Sequence, residues 1–470
     1  MLQSLALAFV GIIFTAGLVR PEIALAVLLS MFPLEQLVQA NSPFFVTQSS
    51  LFNIMCGCLA VVALMGHLAR RPDGLAGAIN PTSIFIVSLF CFGALSVLWS
   101  LNPLWAAEIV RNGTPYAIVL ILMAPLLVYD MPESVRLMKA VMVIGIMIAA
   151  QLMLNPNLEL YTSRLVLGLN ATQKSNPLAI GTLGGTLFVI GMMTNFSQQR
   201  FWTLVRAAAV FSGLGLALLS GSRGQVMAAI IVVVCMYPMS RRIPDIKRFA
   251  TTVIGFVVVA AVAYAAMKFF IGRDNEERWS SESLLYGGSG RLENAVDLIA
   301  AYLSRPQSYL TGLGYYSFEV IPNRGGDGYS HVMLADALGE LGIVGLILYV
   351  GAFSTAGICA YKLFQRFRED PIERGFVATL SALLAYAFLL QNKQGTLFGI
   401  DQGWVYALIL ARLEYRTRDR VALIASDPEW VSVDSFEDGA DGPHTDSDDP
   451  RALPAGYGYA YGSSNRTGDA

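Results

Sequence analysis

The sequence predicts an all-α membrane protein, a polytopic helical bundle with about 12–13 spans and one long outward-facing loop that contains an amphipathic helix. The chain is 55% hydrophobic and 14% charged, whereas soluble domains carry about 25% charged residues. Its mean hydropathy is +0.55. Apolar windows recur along the chain, each long enough, at about 17–25 residues, to cross about 30 Å of hydrocarbon.

The predicted membrane spans follow one another from the start of the chain to residue 413. They are residues 2–19, 21–38, 51–69, 82–99, 114–129, 135–154, 177–195, 201–219, 224–239, 249–271, 343–364, 374–391 and 399–413. The interval 102–112 is predicted to be a separate interfacial helix, because Trp105, Glu108 and Arg111 recur in it at helical spacing.

Basic residues in alternate connections predict the orientation of the bundle. They are Arg70, Arg71, Arg241, Arg242, Lys247, Arg248, Lys362, Arg366, Arg368, Arg412, Arg416, Arg418 and Arg420. The side that carries them is predicted to be cytoplasmic. The remaining connections, 100–113, 155–176, 220–223, 272–342 and 392–398, are then predicted to face outward.

The composition changes along the chain predict four parts. Residues 1–271 form an N-terminal bundle of about ten spans, and residues 272–342 form the outer loop with the catalytic elements. Residues 343–413 supply the C-terminal membrane helices. Residues 414–470 are an acidic cytoplasmic tail, which is expected to be disordered because it has little apolar surface to bury.

Arg291 is the first candidate for binding an anion. The apolar pattern that follows it predicts an amphipathic helix that ends at Arg305, before Pro306. Ser289 or Gly290 is the predicted N-cap, so Arg291 falls in the first turn. Free backbone N–H groups and a guanidinium there would suit an anion. The alternative is a surface arginine that pairs with Glu293 or with a lipid headgroup.

Arg223 repeats this arrangement between two apolar segments. Ser220 or Ser222 is predicted to cap a helix that begins near Gly224, with Arg223 at its positive end. The alternative is an interfacial arginine that extends to lipid headgroups. Two arginines at two outward-facing helix N-termini indicate one polyanionic ligand, such as a pyrophosphate.

His331 is the candidate general base. Ser330 is the predicted cap of the helix that His331 opens, and a helix N-terminus favours the neutral imidazole that a base requires. Asp336 and Glu340 lie one turn apart on that helix and could orient His331 or bind a sugar hydroxyl. Helix capping, or pairing with an arginine, explains them equally well.

The outer loop 155–176 supplies further candidates for substrate binding. Arg164, Lys174 and Asn176 could bind carbohydrate or phosphate, although the same residues suit a solvated loop. Asp274, Glu276 and Glu277 form a possible cation site but more closely resemble a solvated charge run, and no glycine-rich nucleotide motif occurs in the sequence. Neither a metal nor another cofactor is therefore predicted.

An ordered set of motifs resembles the superfamily of bacterial inner-membrane O-antigen ligases and polysaccharide polymerases. The set comprises residues 220–224 (SGSRG), 289–293 (SGRLE), 312–314 (GLG), and His331 followed by 338–342 (LGELG). The resemblance covers the second half of the chain, whereas the first half matches only as a succession of spans. Val332 departs from the family, which more often has a polar residue after the histidine.

This resemblance implies a GT-C-like, all-helical glycosyltransferase in the bacterial inner membrane. The donor would be a glycan on undecaprenyl pyrophosphate, presented at the periplasmic face. By position, Arg223 and Arg291 would hold the pyrophosphate and stabilise its charge as it leaves, and His331 would accept the proton of the acceptor hydroxyl. The reaction would require neither a metal nor a nucleotide sugar.

A polysaccharide polymerase that joins lipid-linked repeat units of a capsule, exopolysaccharide or O-antigen is the favoured function. One alternative is a ligase that transfers the finished glycan to lipid A core. Another is a lipid-linked oligosaccharide flippase, which should place ionisable residues near mid-membrane in broken helices. The predicted partners are the lipid-linked donor, a glycan or lipid A core acceptor, membrane lipid and other polysaccharide-assembly proteins, but no nucleic acid.

Overall fold

The helical bundle is seen in a computed structural model, which describes most of the chain. The described residues are 2–71, 73–161, 164–169, 174–194, 199–241, 281–321, 329–399 and 402–426, together with isolated positions between 247 and 265. The predicted span 249–271 lies outside them apart from such isolated positions.

The main helices are α1 Leu2–Val19, α2 Pro21–Leu29, α3 Met31–Asn41, α4 Pro43–Thr47, α5 Ser49–Arg70, α6 Pro81–Leu95, α7 Pro103–Ala117, α8 Met131–Met153, α9 Pro177–Met193, α10 Arg200–Leu219, α11 Arg223–Arg241, α12 Ser281–Leu303, α13 Met333–Gly339, α14 Gly342–Arg366, α15 Pro371–Gln394 and α16 Gln402–Ser426. Short 3₁₀ turns lie at Ser96–Trp99, Ala124–Leu127, Pro306–Ser308, Phe318–Val320 and Leu397–Gly399, and a π-helical segment covers Ile118–Met123. Two antiparallel strands, β1 Leu158–Tyr161 and β2 Arg164–Leu167, form a hairpin.

The predicted class, an all-α polytopic membrane protein, is confirmed. Among the described residues, eight helices are long and apolar enough to cross a membrane, or nine if the bent pair α2–α3 counts as one span. Two further predicted spans are apolar but shorter, at Ser4–Val19 and Pro177–Met193. The hairpin is a local exception within the predicted outer loop 155–176.

Two predicted boundaries are wrong. The interfacial helix 102–112 and the span 114–129 form one continuous apolar segment, Pro103–Leu127. A π-helical segment follows Pro115 and accommodates the irregularity that the proline introduces into the helical backbone. The helical segment therefore continues past Pro115. The predicted tail from residue 414 also begins too early, because α16 remains helical to Ser426.

The predicted span 21–38 is broken, because α2 and α3 meet at an angle of 73°. Proline has no N–H and disrupts a helix at the carbonyl four residues earlier. Pro33 therefore cannot bond to the carbonyl of Leu29, and the amide of Gln402 bonds to that carbonyl instead. The side chain of Gln402, which is distant in the sequence, thus stabilises the break between α2 and α3.

Contacts join loops that are predicted to lie on the same side of the membrane. At the predicted cytoplasmic end, Arg71 Nη2 lies 2.8 Å from Glu133 Oε1, and Arg412 Nη1 donates to the carbonyl of Val128 at 2.7 Å. At the other end, Ser100 Oγ donates to the carbonyl of Tyr315 at 2.6 Å. The second contact joins two of the connections predicted to face outward.

The chain divides into two compact units, Met1–Arg420 and Val421–Ala470. The first contains every site residue discussed below, and the second is described only by residues 421–426 at the end of α16. Within the first unit, α9 packs against α10, α11 and α15. A Cβ on Gly184 would overlap the carbonyl of Gly213, so glycines allow α9 and α10 to approach closely.

Candidate active site

Arg223 is the first residue of α11, as predicted. The carbonyl of Ser222 accepts the backbone N–H groups of Gln225 and Val226, which starts the helix. Neither predicted capping hydroxyl caps it: Ser220 Oγ donates to Ala217 O, and the buried Ser222 Oγ has no hydrogen-bond partner among the described residues. Arg223 Nη1 is also buried without a hydrogen-bond partner in that part of the chain.

Arg291 does not lie at a helix N-terminus, and that prediction is wrong. Helix α12 begins at Ser281, ten residues before Arg291. Glycine costs a helix interior only about 0.8–1.0 kcal/mol, so Gly287, Gly288 and Gly290 do not end the helix. The predicted end at Leu303 to Pro306 is correct. The side chain of Ser289 lies outside the described residues, so its predicted role stays a prediction.

Lys393 near the end of α15 is a site residue that the sequence analysis missed. Its side chain lies directly over Gly224, where a Cβ would overlap Lys393 Cε. Lys393 Nζ lies 3.4 Å from Gln225 Oε1, and Gln225 Nε2 donates to Gln394 Oε1 at 3.2 Å. A signal existed in the sequence, because Lys393 is the one charged residue in the predicted outer loop 392–398.

Four cations share one region of the structure. Burial lowers the pKa of Arg164, and so do the neighbouring charges of Arg223 and Arg291. Burial also lowers the pKa of Arg291, with Tyr329 raising it and Arg223 lowering it. Lys393 interacts electrostatically with all three arginines. The cationic cluster is therefore defined by Arg164, Arg223, Arg291 and Lys393.

The cationic cluster has no carboxylate counter-charge in the described part of the chain. No salt bridge to any of its four members is found there, and no acidic group perturbs Arg164, Arg291 or Lys393. Burying unpaired positive charges is costly. A bound anion would offset this cost, so the arrangement suits a ligand with more than one negative charge.

The three predicted substrate-binding residues of the 155–176 loop are placed differently from one another. Arg164 joins the cationic cluster, and its Nε is buried without a hydrogen-bond partner among the described residues. Lys174 forms an ion pair with Glu159 beside the hairpin and is not brought to the cluster. Asn176 caps α9 by accepting the N–H of Leu178, and it also lines a neighbouring cavity.

His331 lies between the outer loop and α13, in an uncommon backbone conformation. Its φ of 68° is in the left-handed region. Helix α13 begins two residues later at Met333 with Val332 as its N-cap, so the predictions that His331 opens this helix and that Ser330 caps it are wrong. Its ring packs edge-on against Tyr329, with 4.3 Å between the ring centroids. Because Tyr329 also acts on the pKa of Arg291, it connects the imidazole to the cationic cluster.

A hydrogen bond between helices holds this segment against α15. The N–H of Leu334 in the first turn of α13 donates to Asn392 Oδ1 at 3.0 Å. Asn392 precedes Lys393, so the same end of α15 positions both the His331 segment and the fourth cation. The structure thus brings together Arg164, Arg223 and Arg291, with His331 beside them through Tyr329.

Asp336 and Glu340 are buried and hydrogen-bonded to other parts of the chain. Asp336 Oδ1 accepts the hydroxyl of Ser330 at 2.5 Å, and Ser330 Oγ accepts the N–H of Val332 at 3.2 Å. These two hydrogen bonds link Ser330, which precedes His331, to Val332 and Asp336, which follow it. Glu340 Oε1 accepts the N–H of Phe318 at 3.1 Å, next to the turn in which Tyr315 and Ser317 contact Ser100.

Burial perturbs both carboxyl groups strongly. It raises the pKa of Asp336 to about 7, which the hydrogen bond from Ser330 partly opposes. It also raises the pKa of Glu340 well above its ordinary value, and the nearby Asp336 adds to this. Among the described residues, no group of three His, Cys, Asp or Glu side chains could hold a metal ion.

The fold and the site define a multi-pass, all-helical membrane protein whose polar groups converge at one end of the bundle. Residues 207–350 match the family model described as O-antigen ligase. The matched segment includes Arg223, Arg291 and His331 but not Arg164 or Lys393.

This match supports a glycosyltransferase-like ligase activity that acts on a lipid-linked glycan donor and an acceptor. No curated protein matches the chain.

Proposed function

We propose that this protein is a polysaccharide polymerase that transfers a glycan from undecaprenyl pyrophosphate to an acceptor sugar hydroxyl. The reaction would take place at the periplasmic face of the bacterial inner membrane. The observation that carries the proposal is the cationic cluster, four cations that share one region without a carboxylate among the described residues. A diphosphate bears the charge that such a cluster would bind.

The cationic cluster would assist the departure of the lipid diphosphate. As the bond between the anomeric carbon and the diphosphate oxygen breaks, negative charge grows on that oxygen. Fixed cations aimed at this charge lower the barrier, because they need no reorganisation during the step. Three guanidinium groups and one ammonium could supply this stabilisation in a metal-independent reaction.

His331 would act as the general base on the acceptor. It would take the proton of the acceptor hydroxyl as the oxygen attacks the anomeric carbon. Ser330 Oγ donates to Asp336 and accepts the N–H of Val332, and these two bonds fix the backbone on either side of the histidine. The contact with Tyr329 would keep the ring beside the anionic leaving group.

A ligase is the second candidate, and the description of the matched family favours it. A ligase would use the same cations and the same base but a lipid A core acceptor. The two functions differ in where the glycan accumulates when the site is disabled. A polymerase mutant leaves single repeat units, whereas a ligase mutant leaves long polymer on the lipid carrier.

One observation bears on the flippase alternative. Transporters often bind substrate at broken helices, and α2–α3 is such a pair. The four clustered cations lie outside this broken pair, however, and the described residues that line the cavity beside it are neutral. This arrangement favours an enzyme over a transporter.

Transfer by purified wild-type protein and by Arg223→Ala, Arg291→Ala and His331→Ala variants tests the proposal. We expect each variant to lose at least about 100-fold in rate, in line with the removal of one charge-stabilising group. Lys362→Ala, an exposed cation at the predicted cytoplasmic end, is the matched control and should transfer normally. Wild-type rates in all three site variants would refute the proposed site.

A further inference from the structure

A cavity of about 370 Å³ lies next to the cationic cluster, between α2, α3, α9, α15 and α16. Its volume is in the range of small-molecule sites, about 300–1,000 Å³. The chain segments that form most of it, before residue 207 and after residue 350, lie outside the matched family segment.

The cavity and the cationic cluster share their boundary residues. Tyr329 lines the cavity, packs against His331 and acts on the pKa of Arg291. Gln394 also lines the cavity and accepts a hydrogen bond from Gln225, which in turn contacts Lys393. A ligand held by the cations could therefore extend into the cavity.

The described lining of the cavity is mixed in polarity and uncharged. Amide and hydroxyl side chains, including Gln36, Thr182 and Gln402, stand among apolar ones, and none of the described lining residues is an acid, a histidine, a lysine or an arginine. Such a wall matches a neutral pyranose, which has hydroxyl groups at its rim and C–H groups on its faces. The described residues of this wall offer no counter-charge to a uronic or sialic acid.

Gln36 supplies an independent indication of a polar ligand. The residue is 8% exposed, and its Oε1 has no hydrogen-bond partner among the described residues. Leaving a buried polar atom unpaired costs about 1–3 kcal/mol. A ligand hydroxyl could donate to this oxygen, whereas a hydrocarbon chain would leave it unpaired.

We propose that this cavity is a subsite for one neutral sugar residue of the substrate, beside the cations that hold its diphosphate. The inference rests on the proposed transfer reaction. The sugar belongs either to the donor glycan or to the acceptor, and these two sources share the chemistry that the cavity recognises.

The test is steady-state transfer by the full-length protein in nanodiscs. The donor is the lipid-linked glycan isolated from the producing strain, the acceptor is oligosaccharide from the same strain, and each is titrated in turn. Gln36→Leu should raise the KM for one of them about 3–10-fold, the effect of losing one hydrogen bond. Gln39→Leu, on the same helix but bonded to Glu35, is the matched control. Protection of the protein from heat by inorganic pyrophosphate should be the same in all three proteins.

The outcomes separate the sources and separate this inference from the proposed function. A higher KM for the donor or for the acceptor supports the subsite and identifies which sugar fills it. An unchanged KM for both, or a lower KM because leucine favours a lipid chain, overturns the subsite. If the subsite is overturned in this way, loss of transfer in Arg223→Ala would still support the proposed function. Wild-type transfer in Arg223→Ala would overturn the function itself. If Gln36→Leu does not fold, Thr182→Val provides the same test.

Discussion

Arg223 and Arg291 show what short motifs can and cannot predict at the scale of single residues. A cation flanked by glycine and serine between two apolar runs indicated a helix start, and α11 does begin at Arg223. The motif around Arg291 looked alike but lies in the middle of α12. Local sequence did not reveal this, because the cost of glycine in a helix is small enough for the rest of the helix to override.

Gly224→Ala tests the position of Lys393. The new methyl group would overlap the Lys393 side chain and displace its ammonium from the cationic cluster. We expect transfer to fall at least about 10-fold, since about 1.4 kcal/mol of lost charge stabilisation is tenfold in rate. Gly215→Ala in α10 is the control, because a Cβ there meets nothing within 4 Å. Equal rates in both variants would show that Lys393 is not part of the site.

Asp336 makes the stability of the protein depend on pH. Its pKa is raised by burial to about 7. The protonated Asp336 carboxyl therefore stabilises the fold fully below the pKa that it has in the unfolded chain, about 3.9. This stabilisation is lost as the pH rises through 7. The measurement is the melting temperature in detergent at pH 4 and pH 7.

The wild-type melting temperature should fall between pH 4 and pH 7. In Asp336→Asn, which keeps an acceptor for Ser330, this fall should be smaller by at least about 2–4 °C, the effect of about 1 kcal/mol in a large domain. A decrease identical to that of wild type would mean that Asp336 ionises normally in the folded protein.

At the scale of elements, hydropathy predicted which segments are membrane helices but not how they bend. The break between α2 and α3 depends on Pro33, which the sequence displays, and on Gln402, which only the tertiary structure brings to Leu29. The position of Lys393 over Gly224 depends on packing between α11 and α15 in the same way. Long-range contacts of this kind have no local sequence signal.

The turn 312–317 should be the most sensitive connection in the outer loop. Gly314 has a φ of +91° and lies against the backbone of Ser100, so a Cβ would be both strained and crowded. Gly314→Ala should destabilise the protein by more than about 2 kcal/mol and lower its level in the membrane. Gly11→Ala in α1, where a Cβ meets nothing within 4 Å, should accumulate normally. The measurement is the folded fraction by size-exclusion chromatography, and equal fractions would contradict this account of the turn.

At the scale of the whole molecule, the alternation of basic and non-basic connections placed the site residues on one side. That prediction required a correct order of spans, and the contact between Ser100 and Tyr315 joins two of the predicted outer connections. The four-part division of the chain stays a prediction. The apolar composition was sufficient for the fold class, whereas the composition of the cationic cluster required the structure.

Residues 427–470 should be dispensable for transfer. They follow α16 and lie beyond the compact unit that contains the site. A chain that ends at Ser426 should keep its membrane level and at least about half of its transfer rate, within the scatter expected away from a site. Loss of transfer at a normal membrane level would assign this segment a role in the reaction.

The surface glycan of a deletion strain, complemented with wild type or with His331→Ala, tests the central claim most directly. If this protein is a polymerase that uses His331 as its base, the variant will be present in the membrane but will produce no long polymer, with single repeat units still appearing on their carrier. Accumulation of long polymer on the lipid carrier would indicate the ligase instead. A wild-type glycan profile from His331→Ala would contradict the account.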